Sequence, residues 1–398
     1  MKLAKSLRAM PSSGIRDTMN RIAGMADVIN LAPGEPNFPT PPHIVEAAQH
    51  AIAAGHTKYV SNAGLPELRE QLCRKLRDRN GVDVGLDEIV VTHGAMGGLY
   101  SAFVALLDPG DEVLLPDPAW PNYLMMAALR SAGVQTYSVN ADNGFLPDID
   151  ELETLIGPAT KLLLINTPLN PVGSVIPRER MAALVEFAAS RDLWLVSDEA
   201  YEALTYTDEF VSAASLLARD RIIGVYSFSK SYAMTGWRVG YIVVPRAIAP
   251  VIADIQEAMI SCASAPGQWA ALAALGGPQN VVDAMRAAYA DRRQSALDVL
   301  AENSVPAYPP SGAFYLWVDV RACRVPSRAF AKSLLEDQRV AVVPGRDFGP
   351  GGEGYVRVSL AAASEAITEG LQRLGHHHAG LVAKPQPADG STVGKELR

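Results

Sequence analysis

The chain is poor in cysteine: Cys73, Cys262 and Cys323 are the only ones in 398 residues. They are far apart, odd in number and form no CxxC pair. Reduced thiols in a cytoplasm are therefore expected, with no disulfide framework and no thiolate zinc site. Long apolar runs are missing as well, since no stretch reaches the roughly 18 residues a membrane span needs. The start, MKLAKSLRAM, is basic but lacks the apolar core of a secretory signal, so none is expected. Positive charge is not in excess. Lys and Arg number 35 against 43 Asp and Glu, giving a net charge of −8 with both signs scattered. A nucleic-acid binder would need a basic patch, so neither nucleic acid nor membrane is expected as a partner. Of the 7 histidines, His376, His377 and His378 are consecutive. Consecutive side chains do not converge as helically spaced ligands do, and no metal site is expected there.

What the chain has is apolar bulk. Hydrophobic residues make up 48% and charged residues 20%, enough for a large core, and the length suits two domains. Seven short apolar runs read as strands: 88–94, 111–118, 134–139, 161–168, 193–200, 222–230 and 239–245. Amphipathic stretches such as RERMAALVEFAASR (178–191) lie between several of them. Near-continuous apolar strands alternating with helices predict a mainly parallel sheet covered on both faces. Several runs end in polar residues, among them His93, Asn166, Asp198, Ser229 and Lys230. Ligands of open α/β sheets sit at those strand ends.

From about Pro278 the pattern changes to a long helix, then AFYLWVDV, VAVVPG and YVRVSLA with helices around them. The division expected is an arm at 1–40 lying with a small domain, a large domain at 41–277, the small α+β domain at 278–375 and a flexible tail at 376–398. FGPGGEG contains GxGxxG, but it leads into a strand pattern instead of opening a helix, so no dinucleotide site is expected.

The chemistry concentrates in SFSKSYAMTGWRVGY, residues 227–241. A lysine held neutral and aimed at a carbonyl forms a Schiff base, and pyridoxal phosphate is the commonest aldehyde for it. Such a site needs donors for the phosphate, a carboxylate for the pyridine nitrogen and donors for the ring oxygen. Ser227, Ser229 and Arg238 could serve the phosphate, as could the backbone of Gly94, Ala95 and Met96 where a strand meets an apolar helix. Asp198 ends a buried strand and needs a positive partner. Tyr201 follows three residues later, and Asn170 lies in NTPLNPVG after another strand.

The ordered set resembles the class I/II aminotransferases, the aspartate aminotransferase family of fold type I pyridoxal-phosphate enzymes, over nearly the whole chain to about residue 375. LAPGEPNFPTP, KYVSNAGLPELRE, PDPAWPNY, NTPLNPVG, DEAY, SFSK, GWRVG, PSGAFYLW, PGRDFG and YVRVSLA all match in order. The resemblance implies a large domain with a seven-stranded, mostly parallel sheet sandwiched by helices, plus a smaller α+β domain. It implies Lys230 as the covalent anchor and proton carrier, Asp198 on the ring nitrogen, and Tyr201 and Asn170 on the ring oxygen. Trp120 would stack on the ring, Gly34 would lie near the substrate carboxylate, and Arg357 would be its fork. Tyr59 and Ser264 would reach the neighbouring subunit's cofactor, making the protein a homodimer with shared sites. The implied reaction is ping-pong amino transfer between an L-amino acid and a 2-oxo acid.

Two departures bear on the substrate. Members that prefer dicarboxylates often carry a second cation, in one branch four residues before a serine that aligns with Ser264, and in another as third residue of the phosphate loop. Ile260 and Met96 stand at those places. A neutral, aliphatic or aromatic donor is expected at least as much as aspartate; Arg16, in the arm, is the remaining candidate cation. Val172 replaces the usual Thr of the NPxG segment, with little consequence expected. A fold type I lyase with the same apparatus is the rival reading. A regulator with an N-terminal DNA-binding domain is not expected, because the matching motifs begin near residue 31.

Overall fold

The computed structural model describes residues 4, 6–7, 10–11, 14–206, 210–216 and 219–383. All seven predicted runs form strands, and all seven join one sheet. In chain order, after the short β1 (Ile29–Asn30), they are β2 (Ile89–His93), β3 (Glu112–Asp117), β4 (Gly133–Ser138), β5 (Thr160–Asn166), β6 (Trp194–Asp198), β7 (Ile222–Ser227) and β8 (Val239–Val243). Their spatial order is β2-β8-β7-β6-β5-β3-β4. Neighbours from β4 to β7 run parallel, and β8 lies antiparallel between β7 and β2.

The apolar runs are continuous because both faces are covered. Along β5, Leu162 and Leu164 pack with Phe103, Met126 and Ile252 of the helices Gly94–Leu106, Asn122–Arg130 and Ala249–Ile260. The alternate residues Leu163 and Ile165 join a second core with Leu68, Met181 and Ala270 of the helices Pro66–Lys75, Arg178–Ser190 and Ala265–Gly276. This is the period-two signature of a strand buried on both sides.

The C-terminal part has its own core and a different sheet. β9 (Ala307–Tyr308), β10 (Tyr315–Asp319), β12 (Val343–Pro344) and β13 (Tyr355–Ser359) form an antiparallel sheet in the order β12-β13-β10-β9. Leu316 and Val318 bury against Phe330, Leu334 and Leu371 of the helices Ser327–Gln338 and Ser364–Val382. The arm is tied here: β1 pairs in parallel with β11 (Val340–Ala341), and Ser359 N–H donates to Leu31 O at 2.8 Å. The helix Asn280–Glu302 links both cores, with Val282 in the one and Tyr289 in the other. The glycine run at 349–354 opens no α-helix but makes one 3-10 turn, Pro350–Gly352, before β13: Gly349 and Gly354 have φ of 130° and 85°, and Gly351 N–H donates to the Asp117 carboxylate at 2.9 Å.

The expected tail begins too early at 376. The helix Ser364–Val382 runs through the three histidines because two of them are buried. His377 Nε2 lies 2.8 Å from Ser333 Oγ, its ring meets Phe330 edge-on, and His378 continues the apolar stripe of Ile367, Leu371 and Leu374. Residues 384–398 of that tail lie outside the described residues.

Candidate active site

The carboxyl ends of β5, β6 and β7 open on a cavity of about 250 Å³, closed from the other side by β10, β13 and the arm. Lys230 reaches it from a single helical turn, Phe228–Ser231. Ser227 caps that turn, its Oγ accepting from Ser229 N–H at 3.1 Å, which fixes where the lysine points. Lys230 Nζ donates to Gly34 O at 2.5 Å. Burial lowers its pKa to about 8, with Glu35 opposing the shift and Arg357 and Arg238 adding to it.

Asp198, the last residue of β6, is 3% exposed. Its carboxylate accepts from Tyr123 Oη at 2.7 Å and from Ala200 N–H at 3.1 Å. Burial raises its pKa, these donors and Lys230 oppose that, and a further cation in the cavity would favour the charged form. Tyr123 lies on the helix after Trp120, its ring edge-on to the indole at 5.5 Å. Asn166 Nδ2 donates to Asp198 O at 2.9 Å, locking the ends of β5 and β6 together.

Arg357 is the most enclosed charge of the site, at 1% exposure. Nη1 donates to Asn170 Oδ1 at 2.9 Å and Nη2 to Ala32 O at 2.7 Å, while Nε has no partner. Its guanidinium lies 4.2 Å from the Tyr315 ring centroid. β10 and β13 explain the stacking. Arg357 pairs with Trp317, so Tyr315 is its diagonal neighbour on the same face. Tyr315 Oη in turn lies 2.8 Å from Tyr201 Oη.

The remaining predicted residues divide in two. Gly94, at the start of its helix, has φ of 67°, and a Cβ there would come within 2.6 Å of Arg238 Nη2. Arg238 itself has φ of 57° and donates to Thr235 O at 2.8 Å. Ala95, Met96, Trp120, Asn170, Tyr201, Ser227, Ser229 and Gly34 all line the cavity. A side chain at Gly34 would meet Tyr315 Oη at 2.9 Å. Tyr59 and Ser264 do not line it. Tyr59 is 85% exposed, and Ser264 is exposed, its Oγ accepting from Gly267 N–H at the start of a helix. Arg16 is exposed and also outside the lining, whereas its neighbour Ile15 is part of it. Tyr123, Tyr315 and Ile15 are the residues sequence reasoning missed. The signal for Tyr123 was its place in PDPAWPNY, at the start of the helix that follows Trp120; for Tyr315 it was the strand pairing opposite YVRVS, which no local pattern reveals.

A half-buried amine of lowered pKa, a buried carboxylate and an arginine fork facing one cavity at the ends of a doubly covered sheet define an enzyme that handles amino acids through an aldehyde cofactor. Comparison with known proteins carries this further. Residues 26–374 match the family described as aminotransferase class I and II. The aspartate aminotransferase of Thermotoga maritima is 40% identical, the alignment covering 87% of this chain and 90% of that one. Among solved structures, the aspartate aminotransferase of Thermus thermophilus with maleate superposes with a TM-score of 0.91 at 37% identity, covering 95% of this chain and 100% of the other. An aromatic aminotransferase from Pyrococcus horikoshii superposes at 0.86 with 36% identity, covering 91% and 98%. The chain belongs to the class I and II aminotransferases and is a pyridoxal-phosphate-dependent aminotransferase of fold type I. No finding supports the lyase reading.

The residues present fit that cofactor. The donor set on the Gly94–Arg238 side is cationic and amide-rich, as a phosphate requires. Asp198 offers a buried carboxylate whose charged form a ring cation would favour, and Lys230 is an amine whose pKa burial lowers to about 8.

Proposed function

We propose that this aminotransferase moves the amino group of a neutral or aromatic L-amino acid to a 2-oxo acid such as 2-oxoglutarate or pyruvate, by ping-pong turnover, as a cytoplasmic homodimer. The observation that carries the carboxylate-binding half is Arg357. It is a buried guanidinium that, among the described residues, has no carboxylate at ion-pair distance, with Nε free of any hydrogen bond. Such a cation is costly unless an anionic ligand completes it, and its fork suits an α-carboxylate.

When bound, pyridoxal phosphate supplies an aldehyde for the amino group and a ring that draws electrons from Cα. Lys230 would hold it and, once displaced by the substrate's amino group, would take the Cα proton and deliver it to the carbon that bore the aldehyde oxygen, with the reverse transfer for the oxo acid; a pKa of about 8 makes the neutral amine accessible for that. Asp198, oriented by Tyr123, would keep the ring nitrogen's charge. Tyr201 and Asn170 would donate to the ring oxygen, and Trp120 would wall the ring. Gly94, Ala95, Met96, Ser227, Ser229 and Arg238 would hold the phosphate. Gly34 would set the substrate's carboxylate against Arg357. The exposure of Tyr59 and Ser264, away from their own chain's cavity, supports their service in a partner's site. The two sheets support a large domain at 41–277, and a small one at 278–375 with the 1–40 arm, although the cores meet across that boundary at Trp317, Val343 and Phe348 on one side and Tyr201 and Leu204 on the other.

The donor class rests on what lines the rest of the cavity. Its cations are Lys230, Arg238 and Arg357, each with a task already; Ile15, Met96 and Trp120 are apolar. Ile260 lies outside it. The names of the relatives favour aspartate as a second reading. A panel of amino donors, each added without acceptor, tests the two by the equivalents of 2-oxo acid released. Rapid release from neutral or aromatic donors supports the first; release confined to aspartate and glutamate overturns it.

A further inference from the structure

A second cavity, of about 380 Å³, lies behind the turn that carries Lys230. Ser227 lines both cavities, and Phe228 and Ser231 flank Lys230 on one helical turn while facing the rear one. The amino-transfer chemistry uses none of its depth.

The interior is a built polar site. Lys75 and Glu202 form an ion pair with side chains 13% and 8% exposed. Lys75 Nζ also donates to Tyr241 Oη at 3.0 Å, and Asn80 Nδ2 donates to Glu202. These charges satisfy one another, and at the rim Arg286 pairs with Asp283 at 3.1 Å. Three groups are left over. Ser231 is 5% exposed and its Oγ has no hydrogen-bond partner; buried Asn80 Oδ1 has none either. Arg79, at the mouth, donates Nη1 to the amide oxygen of Gln279 at 3.1 Å and, among the described residues, has no carboxylate at ion-pair distance. Phe228, Tyr232, Leu275 and Val282 line the same cavity. A cation outside, an aromatic and aliphatic wall, and unsatisfied polar atoms inside are the complement of one kind of molecule.

The geometry points to an effector site for a small hydroxylated aromatic carboxylate. Its carboxylate is held by Arg79, its ring lies against the Phe228–Tyr232 wall, and its hydroxyl meets Ser231 Oγ and Asn80 Oδ1. Because that wall is the rear of the lysine turn, occupancy alters how Lys230 is presented, and so changes kcat without competing for Arg357.

The test uses the holoenzyme with 4-hydroxybenzoate as the probe, which carries neither an amino nor a 2-oxo group. Calorimetry is expected to show one equivalent per chain, and kinetics a lowered kcat with the donor KM unchanged. Arg79→Gln, at an exposed position, should weaken binding about tenfold, the loss of one charge-assisted contact, and leave the probe-free kcat as it was. Ala203→Trp, which fills the cavity from its wall, should abolish binding. Inhibition competitive with the donor and indifferent to both substitutions would place the probe on Arg357 and overturn the proposal. So would the absence of binding at millimolar concentration.

Discussion

The two sheets contribute to one cavity in different ways. The seven-stranded sheet delivers its groups from strand ends: Asp198 closes β6, Ser227 closes β7, and Lys230 follows within one turn. The antiparallel sheet delivers Arg357 and Tyr315 from the middle of β13 and the start of β10, by facing the cavity broadside. The first mode arises because the parallel strands end on the same side of the sheet, with Asn166 beside Asp198, so the side chains at their ends gather along one edge. The second depends on which face of a sheet is turned inward, so register decides it. On our reading the first sheet carries the cofactor chemistry and the second carries substrate recognition.

That division is open to direct attack. Lys230→Ala should cost the most, a fall in kcat of about 10³-fold or more, since it removes both the anchor and the proton carrier. Steady-state turnover checks it, and near-native activity would end the assignment. Arg357→Lys, on the other sheet, keeps the charge but loses the fork. It should lower kcat/KM by roughly 10²-fold while cofactor retention, read from absorbance after dialysis, stays unchanged. Equal loss of both would erase the contrast between the sheets. Tyr315→Phe keeps the stack on Arg357 and removes only the hydrogen bond to Tyr201 Oη. A decrease in kcat/KM of about five-fold is expected, the worth of one neutral hydrogen bond.

The same contrast governs what the sequence revealed. The large sheet was legible strand by strand, because residues buried on both faces are uninterrupted apolar runs, and a polar residue at the end of one stands out. Asp198, Asn166 and Lys230 were visible in that way. Arg357 came only with the family resemblance; alone, YVRVS is a strand with one charge in it. Tyr315 was not visible at all, since its meaning lies in the pairing of Arg357 with Trp317 some forty positions away in sequence. The last helix was expected, but its final turns through His376–His378 read as tail for a related reason. Three histidines read as polar, yet His377, packed on Phe330 and Ser333, and His378 continue the buried face of the helix, and only His376 is exposed.

The smallest expected effect tests whether Lys230 is buried as an amine before any cofactor chemistry. Its pKa in the fold is lowered to about 8, against roughly 10.4 in an unfolded chain. Below pH 8 the lysine is protonated in both states, and the cost of burying the charge is constant. Between about 8 and 10 the unfolded chain holds a proton that the folded one has released, so stability rises with pH. Above that range the buried tyrosines oppose it: Tyr123 and Tyr201 have raised pKa values, so the unfolded chain loses their protons first. The cofactor-free protein should therefore be compared with Lys230→Met, which cancels the tyrosine contribution. Below pH 8 the variant should have the higher Tm, and the difference should narrow by about a degree or two between pH 8 and 10. Melting curves that stay parallel across that interval would mean the ammonium is solvated, and that the strand-end site does not prepare its lysine by burial.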